Sequence, residues 1–138
     1  MNLVVSWEQD VCFKAESESG HTLLMDGPHN LGGKDKGMRP MEVLLSGMGG
    51  CTSFDVVSIL KKSRQNITSC QAEISSKRAE SVPRVFTDIH IHFKVTGKDL
   101  DEKKVARAIE LSANKYCSAS IMLSKSVKIT HGFEIIAV

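Results

Sequence analysis

Residues 40–57 read PMEVLLSGMGGCTSFDVV, and the reading of this stretch sets the architecture. Pro40 suits the first turn of a helix. Met41, Leu44, Leu45, Met48, Thr52, Val56, Ile59 and Leu60 then recur at helical spacing to about Arg64. A helix of that extent spans roughly 37 Å. Val43, Phe54 and Val57 lie off the stripe, so two layers or two subunits are needed to cover its apolar surface. Gly47, Gly49 and Gly50 each cost about 1 kcal/mol against alanine inside a helix. That cost fits a tight helix crossing, clearance around the adjoining Cys51 thiol, or both.

Working outward, Leu3–Trp7, Cys12–Glu16 and His21–Asp26 read as three short strands, with Ser19-Gly20 as a turn. Residues 27–37, GPHNLGGKDKG, have no periodicity and predict an exposed, mobile loop. Its Gly-Gly-Lys is not a phosphate loop, because Asp35 follows the lysine where Ser or Thr is required. After the helix, Cys70–Arg78 and Val85–Val95 predict two strands joined across Ser81-Val82-Pro83. In the second, Ile89, Ile91, Phe93 and Val95 face a core while Asp88, His90, His92 and Lys94 face water, as in an antiparallel strand with one wet side. Asp99 and Glu102 read as N-cap and N3 of a second helix with an inward row of Val105, Ala108, Ile109, Ser112, Ala113 and Tyr116. Cys117 continues that row, Ala119–Leu123 forms a short element, and a final strand runs from Val127 to Val138.

A chain of 138 residues with 41% apolar side chains suits one domain, 1–138, with its own core. Its 18 basic and 16 acidic side chains are dispersed, with no basic stripe for a phosphate backbone, which argues against a nucleic-acid partner. The first ten residues lack the basic flank and apolar run of a signal peptide. No stretch approaches about 18 continuous apolar residues. The expectation is a cytoplasmic protein without a membrane partner. In a reducing compartment four cysteines read as packing groups, metal ligands or redox centres rather than as a disulfide framework.

Cys51 and Cys117 lie too far apart for a local Cys-x-x-Cys motif, so joint chemistry requires the fold to bring them together. Cys12 and Cys70 read as small packing groups. His90 and His92 could ligate a metal from one strand face, but no further ligand cluster lies near them, and Lys94 continues the same polar row. His21, His29 and His131 read as surface or loop residues. Trp7, Phe13, Phe54, Phe86, Phe93 and Tyr116 are candidates for core, interface or an apolar pocket at Cys51.

Residues 40–57 together with 115–123, KYCSASIML, resemble the OsmC/Ohr superfamily, most closely its small YhfA-like branch, and the order of elements is similar over nearly the whole chain. The resemblance implies an α+β fold with antiparallel sheets packed on two main helices in an intertwined homodimer. It also implies a thiol-dependent reduction of organic hydroperoxides in oxidative-stress defence. On that pattern Cys51 is the peroxidatic thiolate, attacking the distal peroxide oxygen and becoming a sulfenic acid, and Cys117 resolves it as a disulfide. An external dithiol restores the thiols, and no metal, haem or other bound cofactor is implied.

A free thiol titrates near pH 8.5, so this cycle needs a positive neighbour for Cys51. Cys51 stands about three turns into its helix, beyond reach of the helix dipole. In peroxidase members the cation is an arginine of the N-terminal strands, held by a glutamate just after the helix-opening proline. Here the first arginine is Arg39, the N-terminal strands carry only Lys14, and the acid is Glu42, one residue late. Glu42 and Cys51 point about 180° apart on an ideal helix, so Glu42 reaches Cys51 only through a kink or serves a partner's site; otherwise it is an acid favoured by the helix N-terminus. Arg39 is the candidate replacement cation, with Lys14 and Lys36 as poorer ones. Two further readings stand beside the peroxidase: a non-peroxidatic dimer that binds a small apolar ligand or senses oxidants, and a fold in which both thiols are inert.

Overall fold

Three short runs near the N-terminus pair antiparallel in the order β1-β2-β3 in the computed structural model, which describes residues 1–138. They are β1 (Leu3–Gln9), β2 (Cys12–Ser17) and β3 (Thr22–Met25), close to the expected ranges. Asp10 at φ 53° and Gly20 at φ 86° make the two turns, and Trp7 Nε1 donates to Asp10 O at 2.9 Å. Leu3, Val4, Val5 and Trp7 of β1 are all more than half exposed, which leaves this sheet with much uncovered apolar surface.

The stretch 27–37 is not the loose loop its composition predicts. Asp26 is buried, and its carboxylate accepts the backbone N–H groups of Gly27 (2.8 Å), Lys34 (3.0 Å) and Lys36 (3.1 Å). A one-turn 3-10 helix, His29–Leu31, lies within it. The amides of Lys36 and Lys34 hold the Asp26 carboxyl below its ordinary range against the opposing effect of burial, with the Gly27 amide and the Arg39 charge adding to them.

α1 runs without interruption from Pro40 to Lys62, its N-terminus closed by Glu42 Oε1 accepting the Arg39 N–H at 3.0 Å. The chain divides into two compact units within this helix, Met1–Ser46 and Gly47–Val138. By length and composition α1 is apolar enough to cross a membrane. In the second unit, however, it buries a protein-packing stripe of Met48, Thr52, Val56 and Leu60, while Phe54 on another face stays 73% exposed. The glycine triplet divides as well. A Cβ at Gly49 would fall 2.6 Å from Ile74 Cδ1, whereas one at Gly47 or Gly50 would meet nothing. The close approach is thus helix to strand rather than helix to helix.

The second sheet has the order β4-β5-β6, built from β4 (Asn66–Arg78), β5 (Phe86–Lys98) and β6 (Lys128–Ala137). Ile89, Ile91, Phe93 and Val95 are at most 1% exposed, as the alternation predicts. The expected antiparallel pairing holds for β1-β2-β3 and for β4 with β5, while β6 alone departs from it and pairs parallel with β5. A parallel partner needs a crossover, and the helical segment 102–123 supplies it.

α2 (Glu102–Leu111) opens on Asp101, not Asp99. Asp101 Oδ1 accepts from Lys103 N (2.9 Å) and Lys104 N (3.3 Å), while Asp99 sits at φ 52° in the preceding turn. Val105, Ala108, Ile109 and Ser112 are buried as expected, but Tyr116 is half exposed. The helical row is broken by a π-helical turn, Ser112–Tyr116, before α3 (Ser118–Leu123).

Candidate functional site

Cys51 sits on the half-buried side of α1, and Cys117 is wholly buried in the junction between the π-turn and α3. The π-turn sets that position. Cys117 N–H reaches back five residues to Ser112 O at 2.8 Å, so Cys117 leaves the inward helical row and caps α3 instead. Its Sγ accepts the Ser120 N–H at 3.4 Å.

Burial pushes the Cys117 thiol above its ordinary pKa. Contacts with Ser120 oppose that shift, and the nearby Cys51 thiol pushes it further up. Two cysteines distant in sequence therefore lie near enough for one to influence the other, both as free thiols. Such a pair can exchange a proton and, once one sulfur is oxidised, can close a disulfide. Cys51 is the more accessible member and Cys117 the enclosed one.

A buried polar link holds the two elements together. Thr52 Oγ1 and Ser112 Oγ are 2.8 Å apart, and the Ser112 hydroxyl also lies 3.0 Å from Asp55 Oδ2. The arrangement in which Thr52 donates to Ser112 and Ser112 donates to Asp55 satisfies all three groups. Ser112 thus serves twice, its side chain fixed to α1 and its carbonyl accepting from Cys117. Asp55 escaped the sequence reading altogether. The available signal was its place four residues after Cys51, which puts a carboxylate one helical turn from the thiol.

The other candidate site residues belong to the first unit. Arg39 Nη1 lies 4.0 Å from Asp35 Oδ1, and Glu42 is engaged in closing the helix N-terminus. Lys14 pairs with Glu8 at 3.7 Å, and the Lys36 amide is held by Asp26.

Cys12 is buried in the first unit, and burial raises the Cys70 thiol in β4, in keeping with packing roles. His90 Nδ1 meets Thr130 Oγ1 at 2.7 Å and His92 Nε2 meets Glu134 Oε1 at 3.3 Å, both on the partly wet face of the sheet. His131 corrects the surface reading. Its ring stacks on Phe93 with centroids 6.5 Å apart, its Nε2 is buried, and burial followed by the charge of His90 lowers its pKa. The alternation Ile129, His131, Phe133 was the signal for an inward histidine.

Comparison with known proteins adds a lineage to this geometry. Residues 33–132 match the family described as OsmC-like protein. The chain is 50% identical over 137 residues to Protein YhfA of Escherichia coli strain K12, covering 99% of each. A solved structure described as structural genomics aligns with a TM-score of 0.91 at 48% identity over 100% of both chains. The organic hydroperoxide resistance protein OhrB of Bacillus subtilis shares the fold at a TM-score of 0.65 and 18% identity, covering 97% of this chain and 98% of that one.

Proposed function

The chain belongs to the OsmC-like protein family, and from that membership and its paired thiols we propose that it reduces organic hydroperoxides in oxidative-stress defence, with Cys51 as the attacking and Cys117 as the resolving cysteine. The observation that carries the proposal is the nearness of the two thiols, brought together from distant parts of the sequence. Their unequal access supports the assignment of roles. A hydroperoxide must reach the attacking sulfur, and Cys51 is partly open; a resolver only has to meet its partner, and Cys117 is enclosed beside it. The fold shared with a protein named for organic hydroperoxide resistance supports the substrate class.

In the first step the Cys51 thiolate attacks the distal oxygen of ROOH. The O–O bond breaks, Cys51 becomes a sulfenic acid, and the alkoxide takes a proton and leaves as ROH. The Cys117 sulfur then attacks Cys51 Sγ, and the hydroxyl departs as water as the disulfide forms. An external dithiol reduces that disulfide by exchange, regenerating both thiols and becoming oxidised itself.

The working unit of the proposal is a homodimer. A three-stranded sheet with one strand exposed along its length, and a helix with Phe54 in the open, leave apolar surface that a second copy would cover. A cation for the Cys51 thiolate would come from the Arg39 region, within the chain or from the second copy. The competing proposal is an OsmC-like dimer that binds a small apolar ligand or senses oxidants without turnover. It draws support from the acid Glu42 standing one residue late and from the absence of an arginine in the N-terminal strands.

The test is consumption of cumene hydroperoxide by the reduced protein, supplied with dithiothreitol or with a lipoylated reductant. Wild type should turn over, Cys51→Ser should not, and Cys117→Ser should stall after one equivalent unless the reductant attacks the sulfenic acid directly. No turnover above a protein-free control would leave the binding reading. Full activity in Cys51→Ser would move the nucleophile elsewhere.

A further inference from the structure

Cys117 has no exposed surface, and within the chain no lysine, arginine or histidine supports a negative charge on its sulfur. A buried thiol without a cation is a poor nucleophile, because the thiolate that attacks is the form that burial disfavours. The groups that oppose burial at Cys117 both belong to Ser120, three residues on in the run Cys117-Ser118-Ala119-Ser120.

The Ser120 backbone N–H donates to Cys117 Sγ at 3.4 Å. The residue is 2% exposed, and its hydroxyl oxygen is buried with no hydrogen-bond partner elsewhere. A hydroxyl turns about its C–O bond and donates to whichever acceptor is within reach. The Cys117 sulfur is the group this hydroxyl acts on, favouring its charged form. A neutral thiol is a weak acceptor, whereas hydrogen bonds to ionised groups are roughly twice as strong as neutral ones. A hydroxyl that is poorly satisfied beside the thiol and well satisfied beside the thiolate therefore makes the charged sulfur easier to reach.

Resting on the reading of Cys117 as the resolving cysteine, we propose that Ser120 serves the resolving step, its hydroxyl and backbone N–H together holding the charge on Cys117 Sγ as that sulfur attacks oxidised Cys51. The S–S bond forms as the Cys51 S–O bond breaks, the proton of the Cys117 thiol leaves with the hydroxide as water, and Ser120 ends unchanged.

NMR of the full-length reduced protein with 13C-labelled cysteine, titrated from about pH 6 to pH 11, follows the ionisation of Cys117 whether or not the protein turns over peroxide. Ser120→Ala keeps the backbone N–H and loses the hydroxyl, so the Cys117 midpoint should rise by about one pH unit. Ser120→Thr retains a hydroxyl and should restore the wild-type midpoint. In wild type the Ser120 amide and Cβ resonances should titrate together with Cys117, a readout that needs no variant to fold. Diamide, an oxidant that converts the Cys51 thiolate into an adduct with a leaving group, drives the same closure without peroxide. The Cys51–Cys117 disulfide, followed by mass spectrometry, should then form about tenfold more slowly in Ser120→Ala. Persistence of these differences in a protein that consumes no cumene hydroperoxide would refute the peroxidase and support the role of Ser120. An unchanged midpoint or closure rate in folded Ser120→Ala, or Ser120 resonances indifferent to Cys117 ionisation, would overturn the proposal.

Discussion

Thr52 Oγ1 and Ser112 Oγ stand 2.8 Å apart, each in a residue with no exposed surface, and this contact ties the helix of Cys51 to the segment that delivers Cys117. Ser112→Ala leaves the Thr52 hydroxyl without its side-chain partner and Asp55 without a donor. The expected cost is about 1–3 kcal/mol in urea unfolding. Thr52→Val should cost a similar amount, and the double variant less than the sum, because the second change removes a group already stranded by the first. Strict additivity would mean that the contact carries no coupling.

Access and charge together predict the order in which the thiols react. Cys117 is enclosed and its pKa is raised by burial, whereas Cys51 is partly open. Iodoacetamide at neutral pH, followed by peptide mass spectrometry, should label Cys51 well before Cys117.

The three glycines of α1 should behave differently. An added methyl at Gly49 meets Ile74 Cδ1, so Gly49→Ala should destabilise by about 1–3 kcal/mol through overpacking. Ile74→Val deletes the clashing methyl and should recover part of that loss. At Gly50 the methyl meets nothing, and Gly50→Ala should gain up to about 1 kcal/mol from helix propensity. Urea midpoints of the four proteins test the contrast.

What the sequence conveyed and what it withheld separate along a physical line. Periodicity located α1 and the buried face of β5, because burial imposes a repeat of 3.6 or 2 on the side chains, whereas β1 to β3 were read from their short strand-like runs and the Ser19-Gly20 turn. The two cysteines were legible as types in settings, but the position of Cys117 depends on a π-turn that adds one residue to the helical repeat and leaves no mark in an apolar pattern. The parallel pairing of β6 was hidden for a similar reason: an apolar strand reads alike in either direction. Asp99 was read as the cap although Asp101 also precedes the helix, and only the backbone decides which side chain reaches the free amides. Tyr116 followed the row until the π-turn rotated it outward.

Asp26 provides a pH signature for the first unit. Its carboxylate takes three backbone N–H groups, two of them from residues 34 and 36, and these bonds exist only while the oxygens can accept. The amides hold its pKa below the model-peptide value of 3.8 in the folded chain. Protons therefore bind the unfolded chain more readily than the folded one in the window between the two values. The stabilisation is fully present above the unfolded pKa and is lost as pH falls through the folded one. Asp26→Asn cannot carry the charge and presents one accepting oxygen, so wild type should exceed it in stability at neutral pH by a margin that is flat down to about pH 5. Below about pH 4 that margin should narrow as the wild-type carboxyl protonates. Urea titrations of both proteins across that range would show it. A margin that stays constant into strong acid would mean that the ring of amides does not depend on the ionised carboxylate.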